Sequence, residues 1–184
     1  MSENNIFMPL KNLVTNSVII KPTIYDEINI PKSYDVKDLL NYYWIVPPET
    51  LLAFTYSETS AVPIIDQTVW KITSVNQRYF FGISYAMFNY TEIGSKTFTK
   101  TYLYGSITTD NKVHITFSSS PIITGLGEIK TIGKNSFISM QMNSGNLMHW
   151  SYMIPVKEGD YYYNNLPGTD PVVNIPEFIN LFNS

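Results

Sequence analysis

Three stretches between residues 67 and 156 alternate large apolar residues with small or polar ones. They read QTVWKITSVNQRYFFGISYAMF, TFTKTYLYGSITTDNKVHITF and IITGLGEIKTIGKNSFISMQMNSGNLMHWSYMIPV. A period of two marks strands with one buried face, whereas a helix repeats its apolar positions every three or four residues. A short polar turn interrupts each stretch, so each is expected to fold back as an antiparallel hairpin. LLAFTYSE at 51–58 adds another strand, giving about eight joined mostly in sequence.

The turns decide which residues share a face, because a slip of one residue exchanges the two faces. A two-residue turn at Asn76-Gln77 pairs Trp70 with Ile83 and gathers Trp70, Ile72, Tyr79, Phe81, Ile83, Tyr85 and Met87. A turn at Asp110-Asn111, two residues that tolerate positive φ, gathers Phe98, Tyr102, Tyr104, Val113, Ile115 and Phe117. In the last hairpin a three-residue loop, Ser144-Gly145-Asn146, joins Ile138, Met140 and Met142 to Met148, Trp150 and Tyr152. A two-residue Ser144-Gly145 turn would instead bring His149 round to the methionines and make it the first candidate for catalysis.

Eight strands with one strongly apolar face are expected to close into an antiparallel up-and-down β-barrel, which also removes exposed edges. A two-sheet sandwich is the alternative. The fold class is thus mainly all-β, with a short helix near each end. Residues 1–50 read as an arm, broken by Pro9, Pro22 and Pro31, that carries a short strand at 13–20 and a helix at 35–46. That helix would start on Asp35 as N-cap and stop at Pro47-Pro48. Residues 51–156 form the barrel. Residues 157–184 form a loop and a last helix capped by Asn174, the whole making one domain.

The pattern over 51–156 resembles the calycin-type barrels, meaning lipocalins, fatty-acid-binding proteins and avidins, and also the allene-oxide-cyclase and dirigent barrels. The lipocalin Gly-x-Trp signature is absent, since Trp70 follows Thr68-Val69. The resemblance implies a barrel with a lumen and carries over no site residue.

Composition closes several routes. Charged residues make up only 15% of 184, with net charge −3 and Arg78 as the only arginine. Without clustered cations, nucleic acid is not an expected partner. The low charge implies either a surface covered by uncharged Ser, Thr, Asn and Tyr or surface hidden in a homo-oligomer. With no cysteine, disulfides and thiolate chemistry are excluded. Nothing at the N-terminus reads as a secretory signal and no run approaches about 20 apolar residues, so a cytoplasmic protein without a membrane span is expected. His114 and His149 show no metal-ligand spacing, so no metal and no cofactor are expected.

The expected lumen wall comprises Trp70, Phe81, Tyr85, Tyr102, Tyr104, Met140, Met142 and Trp150, with Lys100 among them as an anion-binding candidate. Glu58 and Glu128 share the apolar parity and are the candidates for proton transfer, with Tyr85 and Tyr104 to polarise an oxygen. Three functions follow. The first is binding of a small apolar molecule in the lumen. The second is a cofactor-independent isomerase, cyclase or lyase on the same barrel. The third is a structural or assembly subunit.

Overall fold

In the computed structural model, residues 33–132 and 134–183 are described; residues 1–32 of the expected arm, with its strand at 13–20, lie outside them. The period-two stretches form nine antiparallel strands. These are β1 (Tyr43–Ile45), β2 (Leu52–Tyr56), β3 (Ala61–Asn76), β4 (Tyr79–Tyr90), β5 (Ser95–Ile107), β6 (Lys112–Phe117), β7 (Ile123–Ile132), β8 (Asn135–Asn143) and β9 (Leu147–Val156). β3 to β9 pair each with the next. β1 and β2 share the remaining wall position between β3 and β9: Trp44 sits opposite Trp70 and Pro155, while Ala53 sits opposite Ile64 and Phe54 opposite Met148. The result is a closed eight-stranded antiparallel barrel with only short helices, as the alternation of the sequence implies, and not a sandwich.

The helix expected over 35–46 is shorter. A 3-10 turn covers Val36–Asn41, and Asp35 caps it by accepting from the Lys37 amide at 3.0 Å. The aromatic and β-branched residues that follow join the wall as β1 instead, where both edges find a partner. Val36 and Leu39 pack with Trp44, Trp70 and Ile107, so this turn plugs one end of the barrel. Arg78 ties that end together: its guanidinium donates to the carbonyls of Ile107, Thr108 and Tyr34 and to the Ser33 hydroxyl.

All three hairpin registers differ from expectation, by one residue over most of their length and by two beside the β3–β4 turn. The β3–β4 turn is Gln77-Arg78, with Gln77 at φ 53°, and a bulge at Thr73 shifts the pairing so that Trp70 faces Ser84. The β5–β6 loop is Thr109-Asp110-Asn111, with Asn111 at φ 64° and Ile107 opposite Val113. The β8–β9 turn is Gly145-Asn146, closed by the Ser144 amide on the Leu147 carbonyl at 2.9 Å, and Met142 faces His149. In each hairpin one strand keeps its expected inner face and its partner is inverted.

The inverted strands carry small or polar residues inward. β4 turns in Phe80, Gly82, Ser84 and Ala86, β5 turns in Leu103 and Gly105, and β9 turns in Leu147, His149, Ser151 and Met153. A narrow barrel has no room for a bulky side chain at every inward position, so large and small must interleave. Gly105 shows the constraint: a Cβ there would overlap the Phe80 ring.

Two further packing layers complete the fold. After β9, α1 (Tyr161–Asn164) and α2 (Ile175–Asn180) lie against the outside of the wall. Asn174 and Glu177 form a capping box at the start of α2. Phe178, Ile175 and Leu166 bury against Val69, Tyr85, Met87 and Val156. A small cluster of Ala53, Ile64 and Leu147 lies at the barrel end away from the plug.

Candidate functional site

The lumen has two halves. One is solid: Trp70, Ile72, Phe80, Leu103, Ile107, Val113, Met140 and Met153 fill it without exposure. The other holds a chamber of about 40 Å³. Asp66, Thr68, Ser84, Thr99 and Thr101 make its polar side, and Phe88, Phe117, Met142 and Leu147 its apolar side, with Trp70 at the boundary. Above it lies a mouth of about 170 Å³ between the β6–β7 loop at Ser119–Pro121, the β8–β9 turn and Tyr90. Chamber and mouth share Phe88, Thr99, Ile123 and Leu147, so the two adjoin.

A buried polar network stands beside the chamber, and the split between β1 and β2 explains its place. Where the wall passes from one strand to the other, backbone groups lose their ladder partners and need others. His149 Nε2 meets the Thr50 carbonyl oxygen at 2.7 Å, and Gln67 Nε2 meets that of Val46 at 3.2 Å. On its other side His149 Nδ1 lies 2.8 Å from Asp66 Oδ2, and Thr68 donates its hydroxyl to Asp66 Oδ1 at 2.6 Å. Ser151 donates to the Tyr152 carbonyl at 2.7 Å, so the hydroxyl bond at 3.0 Å to Thr50 runs from Thr50 to Ser151.

Both neighbours of the His149 ring are acceptors, a carbonyl and a carboxylate, so both ring nitrogens donate and the ring is an imidazolium. Burial pulls its pKa down. The hydrogen bond and charge of Asp66 and the bond to Thr50 outweigh that and leave it raised. Asp66 and His149 are each 1% exposed, which makes this a buried, fully bonded ion pair.

The residues expected at the site divide. Trp70 and Met142 line the chamber, and Met140 faces inward but belongs to the solid half. Phe81, Tyr102, Tyr104 and Trp150 stand on the outer wall, with Tyr102 62% and Trp150 51% exposed, because the registers of β4, β5 and β9 are shifted. Tyr85 also points outward, under Phe182 at a ring distance of 5.3 Å; burial, with a smaller push from Tyr43, raises its phenol pKa. Lys100 is outside as well, its Nζ donating to Asn183 at 3.2 Å.

Neither expected carboxylate is in the lumen. Glu58 is exposed in the β2–β3 turn. Glu128 is on the outer wall between Lys112 and Lys130, at 2.6 and 2.8 Å, and their hydrogen bonds hold its carboxyl down at about 2. A group so acidic does not deliver protons near neutrality.

Asp66, Thr50 and Ser151 were not legible as site residues, since nothing local in PIIDQT or HWSYMI distinguishes an inward polar residue from an outward one. His149 was legible on one condition, the two-residue turn. The outer wall is correspondingly aromatic: Phe81 and Tyr104 meet edge to face at 6.0 Å, and Trp150 and Tyr152 at 5.1 Å.

No family model, curated protein or solved structure matches this chain. Among the described residues, no helix is long and apolar enough to cross a membrane, and no three His, Asp or Glu side chains cluster so as to hold a metal ion.

Proposed function

We propose that this barrel binds a small, largely apolar molecule that enters through the mouth and seats its tip in the chamber beside Trp70. The observation that supports it is a chamber with polar and apolar walls that adjoins an opening, beside a half of the lumen that the described residues pack solid. A folded core fills with its own side chains to crystal-like density. Here the space under the mouth is kept by residues smaller than their neighbours, Ala86, Ser84, Thr99 and Thr101. Apolar walls with a few placed polar groups are the chemistry of small-molecule sites.

Acid–base catalysis has less support. The one buried imidazole has both nitrogens engaged, so it offers no lone pair to a substrate proton. The Asp66 carboxylate oxygens are taken by His149 and Thr68.

Native mass spectrometry of the protein purified from its own source tests the reading. A bound small molecule should appear as a discrete added mass. Ala86→Leu, which places a larger side chain in the chamber, should lose it while keeping the circular dichroism of the parent. A bare mass for the parent, or an added mass that survives Ala86→Leu in a folded protein, would count against it.

A further inference from the structure

Apart from the lumen, the geometry points to a docking edge: the first half of β5 takes an extended acidic segment of another protein as an added strand. β5 has 13 residues, and β6, its neighbour on one side, has 6. β6 pairs with residues 103–107. Residues 95–101 therefore have β4 on one edge and, among the described residues, no strand on the other.

Which residues of this edge present their backbone follows from the last one that is covered. The Tyr102 amide donates to the Ser118 hydroxyl at 2.9 Å, and its carbonyl accepts from the Ser118 amide at 2.8 Å. Tyr102 thus turns both groups away from β4. The β4–β5 ladder runs from Tyr79 opposite Ser106 to Tyr90 opposite Ser95 without a shift, so the alternation of an antiparallel pair holds throughout. Lys100, Phe98 and Lys96 turn their N–H and C=O groups to the same open side. None of the three takes a backbone partner there among the described residues. Donors and acceptors repeating about every 7 Å along a strand edge match the backbone of another extended chain.

The side chains select which chain. Lys96, Phe98 and Lys100 face outward, where Phe98 meets Phe182 at 5.5 Å and stays 44% exposed. Lys96 donates to the Asp170 carbonyl at 2.6 Å and Lys100 to the Asn183 side chain at 3.2 Å, so among the described residues neither is paired with a carboxylate. A second copy laid antiparallel about Phe98 would set Lys96 against Lys100 twice, and like charges directly opposite destabilise a sheet. Lysines on an edge turn such a strand away. They attract one that carries carboxylates at the same two positions. Thr97 and Thr99 point to the other face, with Thr99 on the rim of the mouth beside Phe88 and Ile123. Residues of the added strand above them are therefore uncharged and apolar. The partner is an extended run of five with carboxylates at the first and fifth positions and apolar residues at the second and fourth.

The test is an NMR titration of the intact chain with two capped pentapeptides, Glu-Val-Thr-Val-Glu and Lys-Val-Thr-Val-Lys, following amide shifts and hydrogen exchange. The acidic peptide should shift the Phe98 and Lys100 amides and slow their exchange, while the Thr99 amide, already turned to β4, keeps its rate. Phe98→Pro removes one open amide at an edge position, where proline is tolerated. It should keep the parent's circular dichroism and bind the acidic peptide about tenfold more weakly, as for two lost hydrogen bonds. Lys96→Glu combined with Lys100→Glu should reverse the preference between the two peptides, which decides the charge argument even if Phe98→Pro does not fold. Equal binding of the two peptides, or no shift with the acidic one, would overturn the proposal. So would Phe98 and Lys100 amides that exchange as slowly as Thr99 before any peptide is added, since the edge would then be covered already. A dimer in sedimentation velocity that Phe98→Pro abolishes would make a second copy the occupant and sink the acidic segment.

Discussion

His149 shows how one side chain can be structural and still set a pH dependence. Its ring bridges β9, β3 and the Thr50 turn, three segments that the split wall position would otherwise leave loosely joined. The pair is worth keeping charged because removing one member leaves the other buried alone. The folded pKa of His149 is raised above its unfolded value near 6.5. The stabilisation is therefore complete below about pH 6.5 and is lost as pH climbs through the raised folded value. Urea unfolding midpoints should fall from pH 6.5 upward in the parent. His149→Gln should lower stability at pH 6 by about 3 to 5 kcal/mol and flatten that slope. A parent midpoint that rises with pH over this range would contradict the assignment of an imidazolium.

At the level of the strands, the packing of the solid half depends on interleaved sizes. Gly105 on β5 makes room for Phe80 on β4, so Gly105→Ala should destabilise by about 1 to 3 kcal/mol, the usual cost of overpacking. Adding Phe80→Leu to that variant should recover part of the loss, although Phe80→Leu alone destabilises. A simple sum of the two single effects in chemical denaturation would sink the interleaving argument. The same interleaving explains what the sequence disclosed and what it hid. Strand number, antiparallel order and closure were legible in the period-two pattern, as were the Asp35 and Asn174 caps. The faces of β4, β5 and β9 were not. Bulk is a sound guide to the inside where a sheet packs against another layer. Inside a narrow barrel it fails, because Gly105 is inward so that Phe80 can be, and Gly125 so that Ile115 and Met140 can be. The large rings of Phe81, Tyr102, Tyr104 and Trp150 were left to the outer wall. The lining of the chamber followed the same rule: the inward placing of Trp70 and Met142 came from strands read correctly, and Asp66, Ser84 and Thr101 were missed as small or polar inward residues.

The molecule as a whole divides its lumen between two tasks. The half plugged by Val36, Leu39 and Trp44 supplies the continuous core, and the half under Ser119–Pro121 and the β8–β9 turn stays partly empty. The ion pair of Asp66 and His149 lies beside the chamber and holds three segments of its wall in place. A crystal of the protein pressurised with xenon shows where the empty space lies, since xenon enters pre-existing apolar cavities. One xenon peak is expected in the chamber, between Trp70, Phe117 and Met142, and none among Ile72, Phe80, Ile107 and Met153. An empty chamber with Ser84 and Thr101 closed onto each other, or xenon lodged in the plugged half, would contradict it.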